Sequence, residues 1–447
     1  MEEMSIRARI VKALGETNEA EFAQIIEGIH PADMAEVLET FVAEERSAFF
    51  DKIDPELAAD ILVEFDEEER GELVATYSAE EIAQELVGNM DSDDAADMLS
   101  ELPEDMTKEV LSQVEDVEQA KNIAQLLTHE EDTAGALMAT ELVVVNQSLT
   151  AIRCVAAMRS QAEHIDRVHA VYVVDDNDIL VGTLSLKKLL TAQRTAPISE
   201  LFRPIEHTVL STTPAEEVAN MMQKYDLFVM PVVNAAGELL GRITLDDVVD
   251  FIREEAEKDY QLASGLTDDV EIDDSIYRVT RARIPWLLIG LFGGLIVALI
   301  IGKNEEDIQL VPALAFFMPL IAAMAGNVGV QSSAIVVQAL AGDKKENNMV
   351  RKLTKELAVG LFNGLILSLV MYGAGILLGY DQLITLTVST SLLTVIVFAS
   401  LFGTFIPLML DRFKVDAALA TGPFITTAND VIGLIIYFQI GRLIIGY

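Results

Sequence analysis

One aspartate, Asp430, interrupts the last of five apolar stretches, in the run GPFITTANDVIGLIIYFQIG. An ionised carboxylate at bilayer depth costs roughly 2.5 kcal/mol or more unless it meets water, a partner or an ion, so Asp430 is expected to face a cavity. The same stretch holds no other acid and no Lys or Arg, and Arg442 falls just past its far end. Thr426 and Thr427 lie one turn before Asp430 and Gly433 one turn after it, a small and polar helix face suited to a pore. The second apolar stretch carries Pro312, Pro319, Gly326 and Gly329 around MPLIAAMAGNVGVQSS and is predicted to be a broken helix lining the same cavity. Its Asn327, Gln331 and Ser332 would add neutral oxygens. Carboxylate and neutral oxygen without thiolate or imidazole is the donor chemistry of a hard cation.

The rest of the charge lies elsewhere in the chain. Of the 447 residues, 1–283 carry 62 Asp/Glu against 22 Lys/Arg, a net charge of −40, while 284–447 are close to neutral. Acidity of this kind serves a merely solvated surface equally well, but it excludes a phosphate-binding face for nucleic acid and docking on anionic lipid, since both need clustered Lys and Arg. The five histidines, His30, His129, His164, His169 and His207, all precede the apolar stretches, and no HExxH occurs, which argues against an intramembrane metalloprotease. The N-terminus, MEEMSIRARI, is acidic and lacks the order of a signal peptide, so the acidic region is expected in the cytosol. Cys154 is the single cysteine and rules out an intrachain disulfide.

Several elements must position these groups. Residues 1–130 repeat a helical unit, in HPADMAEVLETF (30–41), DPELAADILVEF (54–65) and DSDDAADMLSEL (91–102), each opening on cap-forming residues. Such short units bury nothing alone and are expected to stack into a right- or left-turning helical array with Asp60, Asp91 and Asp94 on its surface. A second repeat, of period 59, aligns VVDDNDILVGTLSLKKLL (173–190) with VVNAAGELLGRITLDDVV (232–249) and sets Gly182 over Gly241. It reads as strand, turn, strand and helix, recurring in order. A long acidic helix, DFIREEAEKDYQLASGL, follows, then a polar connector and Arg278, Arg281 and Arg283. The apolar stretches fall at about 284–302, 310–340, 357–380, 382–410 and 417–441, each long enough to cross ~30 Å of hydrocarbon. Lys344, Lys345, Arg351, Lys352 and Lys355 after the second, with Arg412 and Lys414 after the fourth, mark cytosolic loops, so KNEEDIQ, YDQ and the C-terminus are expected outside.

The period-59 repeat resembles a tandem pair of cystathionine-β-synthase (CBS) domains, which often hold an adenine nucleotide such as ATP in their cleft. In that family a Thr or Ser and an Asp three residues on meet the ribose; Thr244 and Asp247 match in the second copy, whereas the first has Ser185 followed by Lys188. Taken with the acidic helical repeat, the acidic helix, the five spans, GNVGVQSS and TTANDVIG, the chain resembles the MgtE family of magnesium channels over essentially its whole length.

That resemblance implies a mainly α membrane protein, not an enzyme: an acidic helical-repeat domain (1–130), two α/β CBS copies (131–200 and 201–252), a connecting helix and linker (246–283) and a five-helix membrane domain (284–447). It further implies a homodimer in the plasma membrane, its pore on the dimer axis, with Asp430 of both subunits holding hydrated Mg2+. The family's gate is the connecting helix, clamped when internal Mg2+ bridges acids that here match Asp91, Glu216, Asp226, Asp247, Asp250, Glu255, Asp259 and Asp416, with Asp60, Asp94 and Asp246 as further candidates. One departure is Lys258 before Asp259, where the family commonly shows Glu-Asp; Glu257 is the acid nearest at hand. The competing readings are a carrier for Co2+ or Mn2+, exchange coupled to Na+, and a membrane-anchored nucleotide sensor without transport.

Overall fold

The computed structural model describes all residues except 1–4, 17, 163–164, 166–167, 268–269, 271–274, 342–347, 419–421 and 447. Lys344, Lys345 and His164 therefore lie outside the described residues. The chain forms two compact units, Met1–Ile252 and Arg253–Tyr447.

The first unit opens with short helices: α1 (Ile6–Leu14), α2 (Glu19–Ile26), α3 (Pro31–Glu39), α4 (Ala43–Phe50), α5 (Pro55–Val63) and α6 (Glu67–Val74). Next come α7 (Ala79–Glu81), which runs on through a π turn, α8 (Ser92–Ser100), α9 (Glu104–Gln113) and α10 (Val117–Leu126). The repeat units of the sequence are α3, α5 and α8. His30 and Asp54 cap the first two, accepting from the amides of Ala32 and Leu57 at 3.3 and 3.0 Å. Asp91 stands at the third cap but makes no side-chain cap bond, contrary to the reading of the sequence. Its carboxylate lies toward Arg242 instead.

The period-59 repeat folds twice with one register. The first copy contains β1 (Val143–Asn146), α11 (Ala151–Gln161), β2 (Val171–Val174), β3 (Leu180–Leu184), α12 (Leu186–Thr191) and β4 (Arg203–Pro204), with the sheet ordered β1-β2-β3-β4. The second contains β5 (Val209–Leu210), α13 (Ala215–Tyr225), β6 (Val229–Val233), β7 (Leu239–Thr244) and α14 (Leu245–Ser264), ordered β5-β6-β7. Val173 pairs with Gly182 in one sheet and Val232 with Gly241 in the other, and both ladders shift register one residue later. Both glycines admit a close backbone approach, by the carbonyls of Arg203 and Ala139 respectively, where a Cβ would not fit.

Residues ahead of the first copy pair with the second, through Thr133 with Pro214 and Ala139 with Arg242. One hydrophobic core accordingly runs from the helices (Leu38, Phe49, Leu62, Leu86, Leu99) into Met222, Val232 and Ile243 of the second copy. The first copy closes a separate core around Val143, Cys154 and Val173. This shared core fixes α8 against β7.

The second unit holds α15 (Ile276–Lys303), α16 (Glu305–Leu310), α17 (Ala313–Ala341), α18 (Met349–Leu377), α19 (Gln382–Arg412) and α20 (Pro423–Ile445). All but α16 are long and apolar enough to cross a membrane. The first span begins at Ile276, so Arg278, Arg281 and Arg283 form its first turns, and KNEEDIQ folds largely as α16 rather than a loop. The second span is one unbroken helix from Ala313, which corrects the expected break: Pro312 lies just outside it and Pro319 inside it. A proline frees only one or two backbone groups, and breaking further bonds at bilayer depth would cost several kcal/mol each. The last span starts at Pro423, after Gly422 at φ +55°, a conformation disfavoured for other residues. Helix α19 is the most enclosed, burying Ser389, Ser391, Ser400, Gly403 and Thr404, and Gly403 meets the Gly329 backbone of α17. Small residues permit that approach where lipid supplies no hydrophobic drive between helices.

Candidate functional site

Two sites emerge, one in each unit. In the first unit, ligand oxygens of Asp91, Asp93 and Glu141 lie within 4.8 Å of one another. The first two open α8, where the helix N-terminus favours negative charge, and the shared core brings the third beside them. Ser92 ties the sides together: its amide and hydroxyl donate to Glu141 at 3.3 and 3.1 Å, and its hydroxyl bonds that of Thr140 at 2.9 Å. Burial first, then the charges of Asp94, Asp247, Asp91 and Glu141, hold the Asp93 carboxyl well above the usual carboxylate range. Burial, then Asp91, Asp97 and Asp247, push Asp94 up to about 7 against the pull of Arg70. Glu141 is raised by burial and by Asp91.

These residues fit a divalent cation. Asp93 Oδ1 is buried and bonds to no other group, although an inaccessible carboxylate oxygen normally has a donor. Three carboxylates of two chain segments supply the hard oxygen set that Mg2+ takes.

The pKa shifts set a pH dependence. A carboxyl whose folded value is raised destabilises the fold fully above that value, and the penalty fades as pH falls toward the unfolded value near 4. The cation-free protein should therefore resist proteolysis of residues 1–252 better at about pH 5 than at about pH 8, and added Mg2+ should remove most of the difference. Equal protection at both pH values without cation would show that the cluster carries no such strain.

In the second unit, Asp430 sits half-buried on α20. Its Oδ1 lies 3.5 Å from the point where Gly326 of α17 would carry a Cβ, and the Thr426 methyl lies 2.9 Å from that same point. Asn327 and Gln331, one turn apart on α17, are exposed in the single chain. Thr427 packs into the notch of Gly293 on α15, and Gly433 packs against Ala325 and Val395. The neighbour of Asp430, Asn429, is wholly buried in the notch of Gly329, and neither of its carboxamide atoms has a hydrogen-bond partner. At the far end Tyr437 donates to the Leu314 carbonyl at 2.9 Å, and Arg442 bonds Asp307 at 2.9 Å and Asn304 at 2.8 Å. These contacts hold α20 in one rotation. At its near end, Pro423 lies 2.8 Å from the Cβ position of Gly265, and Gly422 packs on the Ala263 carbonyl in the last turn of α14.

Known proteins resemble the chain along its whole length. A model of the MgtE family, described as a divalent cation transporter, matches residues 318–440. Models of the MgtE intracellular N domain and the CBS domain match 29–132, and 134–195 with 198–254. The magnesium transporter MgtE of Bacillus subtilis (strain 168) is 31% identical over 98% of this chain and 97% of its own length. That of Thermus thermophilus is 31% identical over 99% of both. The chain belongs to the MgtE family. A crystal structure of the cytosolic domain of the Mg2+ channel MgtE in complex with ATP is 30% identical, covers 55% of this chain and 100% of its own, and superposes with a TM-score of 0.51.

As a member of the MgtE family, the protein is a multi-pass membrane transporter with an acidic soluble N-terminal part, and not an enzyme. The structure gathers some residues singled out in the sequence and scatters others. Asp91, Asp94 and Asp247 share one electrostatic neighbourhood. Asp247 Oδ2 also accepts from the amide and hydroxyl of Thr244 at 2.8 and 2.7 Å. Lys188, at the corresponding place in the first copy, donates to the Leu201 carbonyl at 3.2 Å. Glu216 and Asp226 lie exposed at opposite ends of α13, and Asp226 closes that helix at φ +52°. Asp60, Asp246 and Asp250 are exposed, Asp259 is half-buried, and exposed Asp416 accepts from the Ala418 amide at 2.8 Å. Glu255 pairs with Lys258 at 2.9 Å on its own helix, and Glu257 with Arg253 at 3.3 Å. Sequence reasoning passed over Asp93, Glu141 and Asn429. The acidic run DSDDAAD holds a signal for the first, whereas Glu141 sits in MATELVVV without one.

Proposed function

We propose that the protein is a Mg2+-selective channel for magnesium uptake, closed by internal Mg2+ acting on the acids of the cytosolic unit. The observation that carries the reading is Asp430 at bilayer depth against Gly326, beside a face of α17 on which Asn327 and Gln331 are exposed. Polar side chains do not face lipid at low cost, so a second copy is the natural cover, and the pathway runs between two such faces. Two Asp430 carboxylates across that axis balance one hydrated Mg2+, an ion that sheds its waters reluctantly. The relatives named as magnesium transporters support this ion over Co2+ or Mn2+.

The cytosolic sensor is the cluster of Asp91, Asp93 and Glu141, with Asp94 and Asp247 beside it. Exposed Glu216, Asp226, Asp250 and Asp416, with half-buried Glu255 and Asp259, are further bridging acids. The end of α14 bears on Gly422 and Pro423, two turns before Asp430, which supports α14 as the element that transmits closure. Arg351, Lys352, Lys355, Arg412 and Lys414 favour a cytosolic N-terminus and an outside C-terminus in the plasma membrane. Thr244 and Asp247 are the ATP-ribose candidates in the second CBS copy, and the ATP complex of the related cytosolic domain supports them. Lys188 leaves the first copy without the acceptor.

The full-length protein in liposomes should pass Mg2+ inward when internal Mg2+ is chelated and stop when it is raised to millimolar. Flux indifferent to internal Mg2+ would remove the gate, and equal flux of Co2+ or Mn2+ would remove the selectivity.

A further inference from the structure

The cation cluster contains a resident positive charge. Arg242, on β7, is 5% exposed and reaches two members of the cluster, Asp91 and Glu141. Its Nη1 donates to the main-chain carbonyl of Glu141 at 2.6 Å. Its Nη2 stands 3.6 Å from Asp91 Oδ2, an ion pair longer than a hydrogen bond, and its buried Nε bonds to no other group. The other nearby guanidinium, Arg70, is paired with Glu101. A guanidinium that aims its short bond at a backbone oxygen and meets the Asp91 carboxylate by charge alone offsets part of the local negative charge without filling the cluster.

We infer that Arg242 is the built-in counter-cation of this sensor: it offsets the repulsion of the acids in the cation-free protein and sets how much divalent cation is needed to load them. This rests on the proposed reading of the cluster as a cation site. Asp91 exchanges Arg242 for the arriving ion, while the bond to the Glu141 carbonyl keeps the arginine in place. The arginine then repels the ion it admits, which raises the concentration at which the sensor fills. One unit charge about 6 Å from a divalent ion, at water-like screening, changes affinity by about tenfold.

The test is Mg2+-dependent protection of residues 1–252 from proteolysis in the full-length protein, read as the midpoint Mg2+ concentration for the parent, R242Q and R242K. Gln retains a donor for the Glu141 carbonyl without the charge, so R242Q should lower the midpoint by about tenfold, whereas R242K should stay near the parent. In a D91N background the R242Q effect should shrink markedly, because the pair acts through that carboxylate. An unchanged or raised midpoint in R242Q would overturn the inference and leave Arg242 as a brace for Glu141. Should R242Q fail to fold, R242K decides: a lowered midpoint with the charge retained overturns the idea, and a parent-like one upholds it. A parent protein with no Mg2+ midpoint at all would instead defeat the sensor reading on which the inference stands.

Discussion

Asp430→Asn should reduce Mg2+ entry into liposomes by about a hundredfold or more while leaving the protein folded. The side chain is half-buried against Gly326, and Asn has nearly the same shape, so packing is preserved. What changes is charge. Each carboxylate facing a divalent ion through a water layer, at about 5 Å and water-like screening, contributes ~1.7 kcal/mol, and two subunits lose ~3 kcal/mol together. The loss falls where the ion must shed or reorganise its hydration, so it appears as rate. Asp430→Glu keeps the charge but moves it by one methylene toward α17, and it should retain part of the flux with altered ion preference. Parent-like flux in Asp430→Asn would make this aspartate structural and take the pathway away from α20.

Neutralising the cytosolic cluster should have the opposite sign. The triple variant D91N/D93N/E141Q should stay conducting at internal Mg2+ concentrations that close the parent, with the closing midpoint raised at least about tenfold. A gate swung from 1:99 to 99:1 needs about 5.5 kcal/mol of differential binding, so losing a site worth tenfold leaves it incompletely shut. The same variant should be more resistant to proteolysis than the parent without divalent cation, because three mutually repelling, partly buried carboxylates have become neutral. Closure at the parental midpoint would show that the remaining acids carry the sensing alone. The paired outcomes separate the two sites: one variant loses flux, the other loses its control.

Much of this architecture was legible in the residues, because it rests on local periodicity. The five spans follow from run length and the need to satisfy backbone groups in lipid. The duplicated CBS register follows from two aligned segments whose glycines face the same step of each ladder. Proline and glycine within the second span misled, since α17 runs through Pro319, Gly326 and Gly329 unbroken. Its glycines serve instead as notches, for Thr426 and Asp430 at one level and for Asn429 at the next. Asp91 misled in another way: it occupies a helix cap in sequence and spends its carboxylate on long-range charge.

The sequence by itself determined the segments, the separation of acidic and apolar halves, and the one aspartate at bilayer depth, because composition and spacing are properties of neighbours along the chain. Only the tertiary structure decided which acids meet. Glu141 reaches Asp91 and Asp93 because the helical array and the second CBS copy share one core, and Arg242 reaches Asp91 and Glu141 because residues ahead of the first copy pair with β7 of the second. A charged cluster assembled from groups 50 to 150 residues apart leaves no pattern in any short window, since its geometry is set by packing between elements rather than within them.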